Sequence, residues 1–146
     1  MAEDGLVPIG RVAAWFGMRV SALRYYEDEG LLTTHRLNGR RHFDQDDLRR
    51  LALVRTYVEG GLLSLDAVRR LVDPAPRPGA RLLAEQTVPE LEAHADRSAA
   101  ALRLLRHHIH HEHADQLTCP RCARELRERV ERLTGGTGAP PCRRST

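Results

Sequence analysis

Two adjoining segments leave few folds open to this chain. Leu23-Arg24-Tyr25-Tyr26-Glu27-Asp28-Glu29 reads as the end of a short helix stopped by Gly30, and Arg36-Leu37-Asn38-Gly39-Arg40-Arg41-His42-Phe43 follows as a hairpin. Asn-Gly is the preferred pair for a two-residue turn, because both of its positions take positive φ. A helix ending in an arginine and two tyrosines, beside a tight turn that presents guanidinium groups, has the pattern of the recognition helix and wing of a winged helix-turn-helix. Such a helix suits the major groove, and such a turn suits the neighbouring phosphates. The pair implies contact with double-stranded DNA.

The surrounding sequence supplies the rest of such a domain. Ile9, Val12, Ala13 and Phe16 recur at helical spacing before Gly17, so a short first helix is expected there. A second is expected from Val20 to Glu29. Val20, Leu23 and Tyr26 can face the first helix and Ser21, Arg24 and Tyr25 the outside, with the choice of buried tyrosine left open. The wing spans roughly Thr33 to Phe43. Asp44 then stands as N-cap of a helix continuing through Tyr57, with acidic residues in its first turn, and Gly60-Gly61 ends it. Ser64 caps a fourth helix whose apolar face is Leu65, Val68, Leu71 and Val72. Trp15 and Phe16 are expected in the core or a domain interface, and Glu27, Asp28 and Glu29 on a solvated face.

Composition narrows the function. All 23 basic residues are arginine, a donor suited to bidentate phosphate and guanine contacts, yet the formal net charge is only +3. Residues 1–73 hold 11 arginines against 11 carboxylates, so affinity for DNA has to come from a local patch, with Arg19, Ser21, Arg24, Tyr25, Arg36, Asn38, Arg40 and Arg41 as its candidates. No stretch approaches the roughly 20 apolar residues that span a bilayer, and no signal pattern opens the chain, so a cytoplasmic protein without membrane contact is expected. An enzyme is not expected, since no nucleophile, base and orienting group occur together.

Beyond a proline-rich linker at Pro74–Pro78, small or apolar residues alternate at steps of four and three: Leu91, Ala95, Ser98, Leu102, Leu105 and Ile109. A stripe this regular cannot be buried by a domain that ends near residue 73. Pairing with the same helix of a second subunit is the natural solution, and folding back on the fourth helix the bland one. Pro89 either starts this helix or kinks a longer one beginning near Arg81. From Thr134 onward the chain is polar and rich in Gly and Pro, and a disordered tail is expected, with an inert Cys142.

The first half resembles the DNA-binding domain of the MerR family of bacterial transcription regulators. Ile9-Gly10-Arg11-Val12-Ala13, Gly17, Leu23-Arg24-Tyr25-Tyr26-Glu27, Gly30-Leu31-Leu32, Arg36, Asn38-Gly39 and Arg41 carry the resemblance. It implies an antiparallel homodimer joined through the long helix and bound to a pseudo-palindromic promoter whose spacer is too long for productive contact with RNA polymerase holoenzyme, until an effector makes the dimer bend and untwist the DNA. It also gives Arg24, Tyr25 and Arg41 DNA-contact roles by position. The chain departs from the family in having Arg40 in place of a wing tyrosine, Arg19 in place of a small polar helix cap, and an extra residue in Gly61-Leu62-Leu63-Ser64. The absence of cysteine before Cys119 argues against a mercury- or copper-type thiolate site.

Residues 107–122 concentrate five histidines and two cysteines, in His107-His108-Ile109-His110-His111-Glu112-His113 and Cys119-Pro120-Arg121-Cys122. A Cys-Pro-x-Cys turn can place both thiolates on one cation, and histidines three or four apart share a helix face. Two thiolates and two imidazoles suit zinc. Cys119, Cys122, His110 and His113 are the expected ligands, with His107 and His111 as alternates. Thiol redox chemistry is the competing use of the cysteines, and a solvated, tag-like helix face the other reading of the histidines.

The sequence therefore predicts a mainly α chain: a winged helix-turn-helix domain at 1–75, a linker and dimerisation helix at 76–115 forming an antiparallel coiled coil, a helical metal-binding segment at 116–133, and a tail at 134–146. The function expected is that of a homodimeric, zinc-binding or metal-responsive MerR-type regulator. The alternatives are a MerR-like regulator responding to an oxidant or organic molecule, with thiols or purely structural zinc, and a DNA-architectural protein.

Overall fold

The computed structural model describes residues 5–75, 78–110 and 115–136, arranged as two compact units divided after Ala93. In the first unit a two-residue strand, β1 (Val7–Pro8), leads directly into α1 (Ile9–Trp15) and then α2 (Val20–Asp28). Gly17 and Gly30, both at positive φ, turn the chain after these helices, as their positions in the sequence suggest. The wing is the hairpin of β2 (His35–Leu37) and β3 (Arg40–Phe43), and α3 (Gln45–Glu59) and α4 (Leu65–Val72) complete the unit.

Asn38 at φ 50° and Gly39 at φ 75° form the two-residue turn that the sequence predicts. The register sets Arg36 opposite Arg41 and Leu37 opposite Arg40. Antiparallel pairing of Val7 with Phe43 and Pro8 with His42 adds β1, giving the sheet order β1-β3-β2. That third strand is absent from the sequence-based expectation, because two residues are too few to show a period of two.

Two packed clusters hold this unit. Val12, Ala13, Leu23, Leu32, Phe43 and Leu51 form one, and Leu31, Val54, Val68 and Val72 the other. Tyr26 packs against both, so it is the tyrosine turned inward, while Tyr25 stays exposed. Trp15, expected in the core or an interface, is exposed, with the Arg11 guanidinium 5.5 Å above its ring. Phe16 joins the first cluster.

The long helix, α5, runs from Ala80 to Ile109 with Pro89 inside it, which decides for a longer helix over a start at proline. At 30 residues it is about 45 Å long. None of its residues is buried, and Leu91, Ala95, Ser98, Leu102, Leu105 and Ile109 are all exposed. In the second unit α6 (Pro120–Thr134) begins with Cys119 as N-cap and proline at its first position, and ends at Gly135 in the left-handed region. Proline is well tolerated in a first helical turn, so Pro120 opens the helix. Thr134, assigned to the tail from sequence, closes this helix, while residues 137–146 with Cys142 lie outside the described residues. No helix among the described residues is long and apolar enough to cross a membrane.

Candidate functional site

The exposed side of α2 carries Ser21, Arg24 and Tyr25, and its N-cap is Arg19, also exposed. Leu23 anchors the opposite side in the core. On the wing, Arg36, Asn38 and Arg40 are exposed around the turn. These seven of the eight sequence-predicted DNA contacts therefore stand on the surface of one unit.

Arg41 has a different setting. It is half-buried, and its Nε donates to Glu27 Oε2 of α2, while the Thr34 hydroxyl donates to Glu27 Oε1. One carboxylate thus binds the recognition helix to both the approach and the return strand of the wing. Burial pushes the Glu27 carboxyl up, but the Thr34 hydroxyl, the Arg41 guanidinium and the nearby charge of Arg36 outweigh it and hold the group below its ordinary value. Arg41 positions the wing through Glu27, and the free guanidinium groups of the wing are those of Arg36 and Arg40.

Glu27 and Glu29 consequently do not form the solvated face that the sequence suggests. Glu29 Oε2 accepts from Arg69 Nη2 at 2.6 Å, and its carbonyl accepts from Arg69 Nε at 2.7 Å, tying the end of α2 to α4. Arg50 Nε donates to the Leu31 carbonyl at 2.7 Å and its Nη1 to the Val72 carbonyl at 2.8 Å. These partners lie 14 to 40 residues apart, so no local spacing rule announces them.

At the root of the wing, Asp44 and Asp47 cap α3 reciprocally: Asp47 N–H donates to Asp44 Oδ1 at 2.8 Å and Asp44 N–H to Asp47 Oδ2 at 3.0 Å. Thr33 donates to Asp47 Oδ1, and His35 Nε2 lies 3.0 Å from Asp44 Oδ2. All four carboxylate oxygens are engaged within the fold. The group reads as a joint between wing and helix, not a cation site.

The second unit holds a separate cluster. His107 Nε2 lies 3.2 Å from Cys119 Sγ, and the donor atoms of His107, Cys119 and Cys122 all lie within 4.8 Å of one another. Both cysteines are buried, and neither is in a disulfide. Backbone N–H groups of Cys122 and Arg121, at the start of α6, draw the Cys119 thiol down against the opposing effect of burial. Burial, with the neighbouring Cys119 sulfur, pushes Cys122 up.

His110, a first choice from sequence, is not in this cluster; its Nδ1 engages the Arg106 carbonyl at 2.9 Å, one turn back. Among the described residues, the alternate His107 is the histidine brought to the sulfurs. His111 and His113 lie outside the described residues. The donors suit a borderline-soft cation such as zinc.

Residues 7–74 match the family model described as MerR HTH family regulatory protein. They form a helix-turn-helix domain of the MerR type. Among solved structures, the chain resembles HiNmlR, a MerR family regulator lacking the sensor domain and bound to promoter DNA, at 24% identity, with a TM-score of 0.57 over 70% of this chain and 82% of that one. It also resembles a Listeria monocytogenes protein assigned to the MerR family of transcriptional regulators, at 22% identity, with a TM-score of 0.59 over 90% of this chain and 99% of that one. No curated protein matches the chain in sequence.

Within this MerR-type domain, Arg19 makes no side-chain cap on α2, so a charged donor stands where a small cap would bond the helix. In the turn before α4, Gly61 stands at positive φ, and Ser64 caps α4 by accepting from Ala67 N–H.

The Glu27 clamp has a measurable consequence. Glu27→Gln and Arg41→Ala should each destabilise this domain by about 1–3 kcal/mol, and the double variant by less than their sum, with a coupling of about 0.5–3 kcal/mol in urea unfolding. Strict additivity would show that the two side chains do not interact. Because the folded-state pKa of Glu27 is depressed, its contribution is present above the ordinary value of 4.5 and is lost as pH falls through the lower folded value. Unfolding followed between pH 6 and pH 3 should show that loss reduced in Glu27→Gln.

Proposed function

We propose that the chain acts as a homodimeric transcriptional regulator that grips promoter DNA with α2 in the major groove and the wing on flanking phosphates. The observation that carries this reading is the exposed set of Arg24, Tyr25, Arg36 and Arg40 on elements whose relative placement Glu27 fixes. The promoter-bound state of HiNmlR, whose fold this chain resembles, supports it. The second copy pairs through the bare stripe of α5 as an antiparallel coiled coil. Bending and untwisting then bring the promoter elements into register for RNA polymerase holoenzyme. Smooth bending of a 20–30 base-pair site costs on the order of 1–6 kcal/mol, within reach of a ligand's differential affinity.

The same reading assigns zinc to His107, Cys119 and Cys122, which supply three donors of a tetrahedral site, with a further histidine of the run or water as the fourth. Zinc joins the end of α5 to the start of α6 and is the candidate signal. A thiol response to an oxidant is the second reading, favoured by the placement of Cys119 at a helix N-terminus.

Arg24→Ala is expected to weaken promoter binding in fluorescence anisotropy by roughly 1–3 kcal/mol if the guanidinium reads a base, and to lower the salt slope by about one if it holds a phosphate. An unchanged affinity and slope would reject the assigned DNA surface.

Leu102→Asp combined with Leu105→Asp should convert a dimer into monomers, since an unpaired carboxylate in an apolar seam costs several kcal/mol. Sedimentation of the native chain as a monomer at micromolar concentration would overturn the dimer.

One zinc per subunit is expected in the native chain, with sulfur ligation in X-ray absorption. Cys119→Ser and Cys122→Ser should each lose it, and Cys142→Ser should not. Promoter binding and transcription measured with and without chelator test whether zinc is the signal. Zinc retained by the Cys119→Ser/Cys122→Ser variant would exclude the site.

A further inference from the structure

Along α6, Arg121, Arg124, Glu125, Glu128 and Arg132 fall on one helix face, and with Arg103 of α5 they line an open groove of about 490 Å³. Three intrahelical ion pairs have suitable spacing there: Arg121 with Glu125, Arg124 with Glu128, and Glu128 with Arg132. None of them forms. Glu125 Oε1 is taken instead by Arg103, through Nη2 at 3.0 Å and Nε at 3.2 Å. No ion pair or hydrogen bond joins the side chains of Arg121, Arg124, Glu128 or Arg132 to another described residue. Beside the closed Arg103–Glu125 pair, three guanidinium groups therefore face the groove with one carboxylate.

We infer that this groove binds a small polyanion bearing two or more phosphate or carboxylate groups. Guanidinium groups present planar forks that match either oxyanion, and several of them around one groove can be met together by a ligand with more than one anionic group. No aromatic or aliphatic side chain lines the groove, so it offers little to a neutral or apolar ligand. Its volume falls within the usual range for small-ligand sites and exceeds what a single phosphate fills. The lining of α6 spans only about 16 Å, a short track for duplex DNA. An anion there offsets the repulsion among Arg121, Arg124 and Arg132 that their idle carboxylate partner leaves in place. The groove adjoins the sulfur donors, since Arg121 lies between Cys119 and Cys122 and its charge acts on both thiols, but the inference rests neither on a metal there nor on the DNA face.

Isothermal titration of the full chain with pyrophosphate and, separately, citrate tests it. One anion per subunit is expected, with affinity falling as salt rises. Arg121→Ala/Arg124→Ala should weaken binding at least tenfold with circular dichroism unchanged, and Arg127→Ala, on the same helix outside the groove, less than twofold. A preference for pyrophosphate would identify phosphate as the recognised group, and the reverse preference carboxylate. Equal losses in Arg127→Ala would overturn the site in favour of diffuse charge. Absence of binding to both probes would overturn it too, as would a result in which Arg121→Ala/Arg124→Ala lowers only promoter affinity, making the face a DNA contact.

Discussion

The carboxylate of Glu27 is the joint on which the DNA-binding surface depends. A recognition helix and a wing read DNA together only if their relative placement is fixed before they meet it, because ordering them on binding would subtract from affinity. The hairpin adds only Phe43 to the buried core, so apolar packing gives it little purchase. Polar contacts do the rest. Thr34 and Arg41 close on Glu27, while Thr33 and His35 close on the Asp44–Asp47 cap of α3. Side-chain hydrogen bonds thus hold the wing root at two helices.

This arrangement divides the arginines into two kinds. Arg41, Arg50, Arg55 and Arg69 donate to carboxylates or carbonyls of the same unit and serve as cross-braces. Arg19, Arg24, Arg36 and Arg40 remain exposed on α2 and the wing. A formal charge near balance is therefore no obstacle to DNA binding, since the carboxylates that cancel it are partly engaged with the bracing arginines. What matters electrostatically is which guanidinium groups have no protein partner.

Much of this was legible in the sequence, for identifiable reasons. Helix limits followed from Gly17, Gly30, Asp44 and Ser64, each a local signal, and the wing from Asn38-Gly39. The long helix over Leu91 to Ile109 followed from its period. Long-range polar geometry was not legible. Arg41 looked like any wing arginine, and Glu27 like one of three acidic residues on a helix, until the fold brought them together across 14 positions. For the same reason the histidine beside the sulfurs could not be chosen from spacing: the approach of α6 selects His107, whereas helical period alone ranks His110 equally.

A ligand at His107, Cys119 and Cys122 acts as a signal only if it binds one arrangement of the dimer more tightly than another. The placement of the donors bears on that condition. His107 lies in the last turn of α5, whereas Cys119 and Cys122 lie at the start of α6, so a metal that bonds all three ties together two helices that are otherwise joined by a connecting segment. Ile109, two residues beyond His107, belongs to the exposed stripe. Occupancy would therefore act next to the surface proposed for the second subunit.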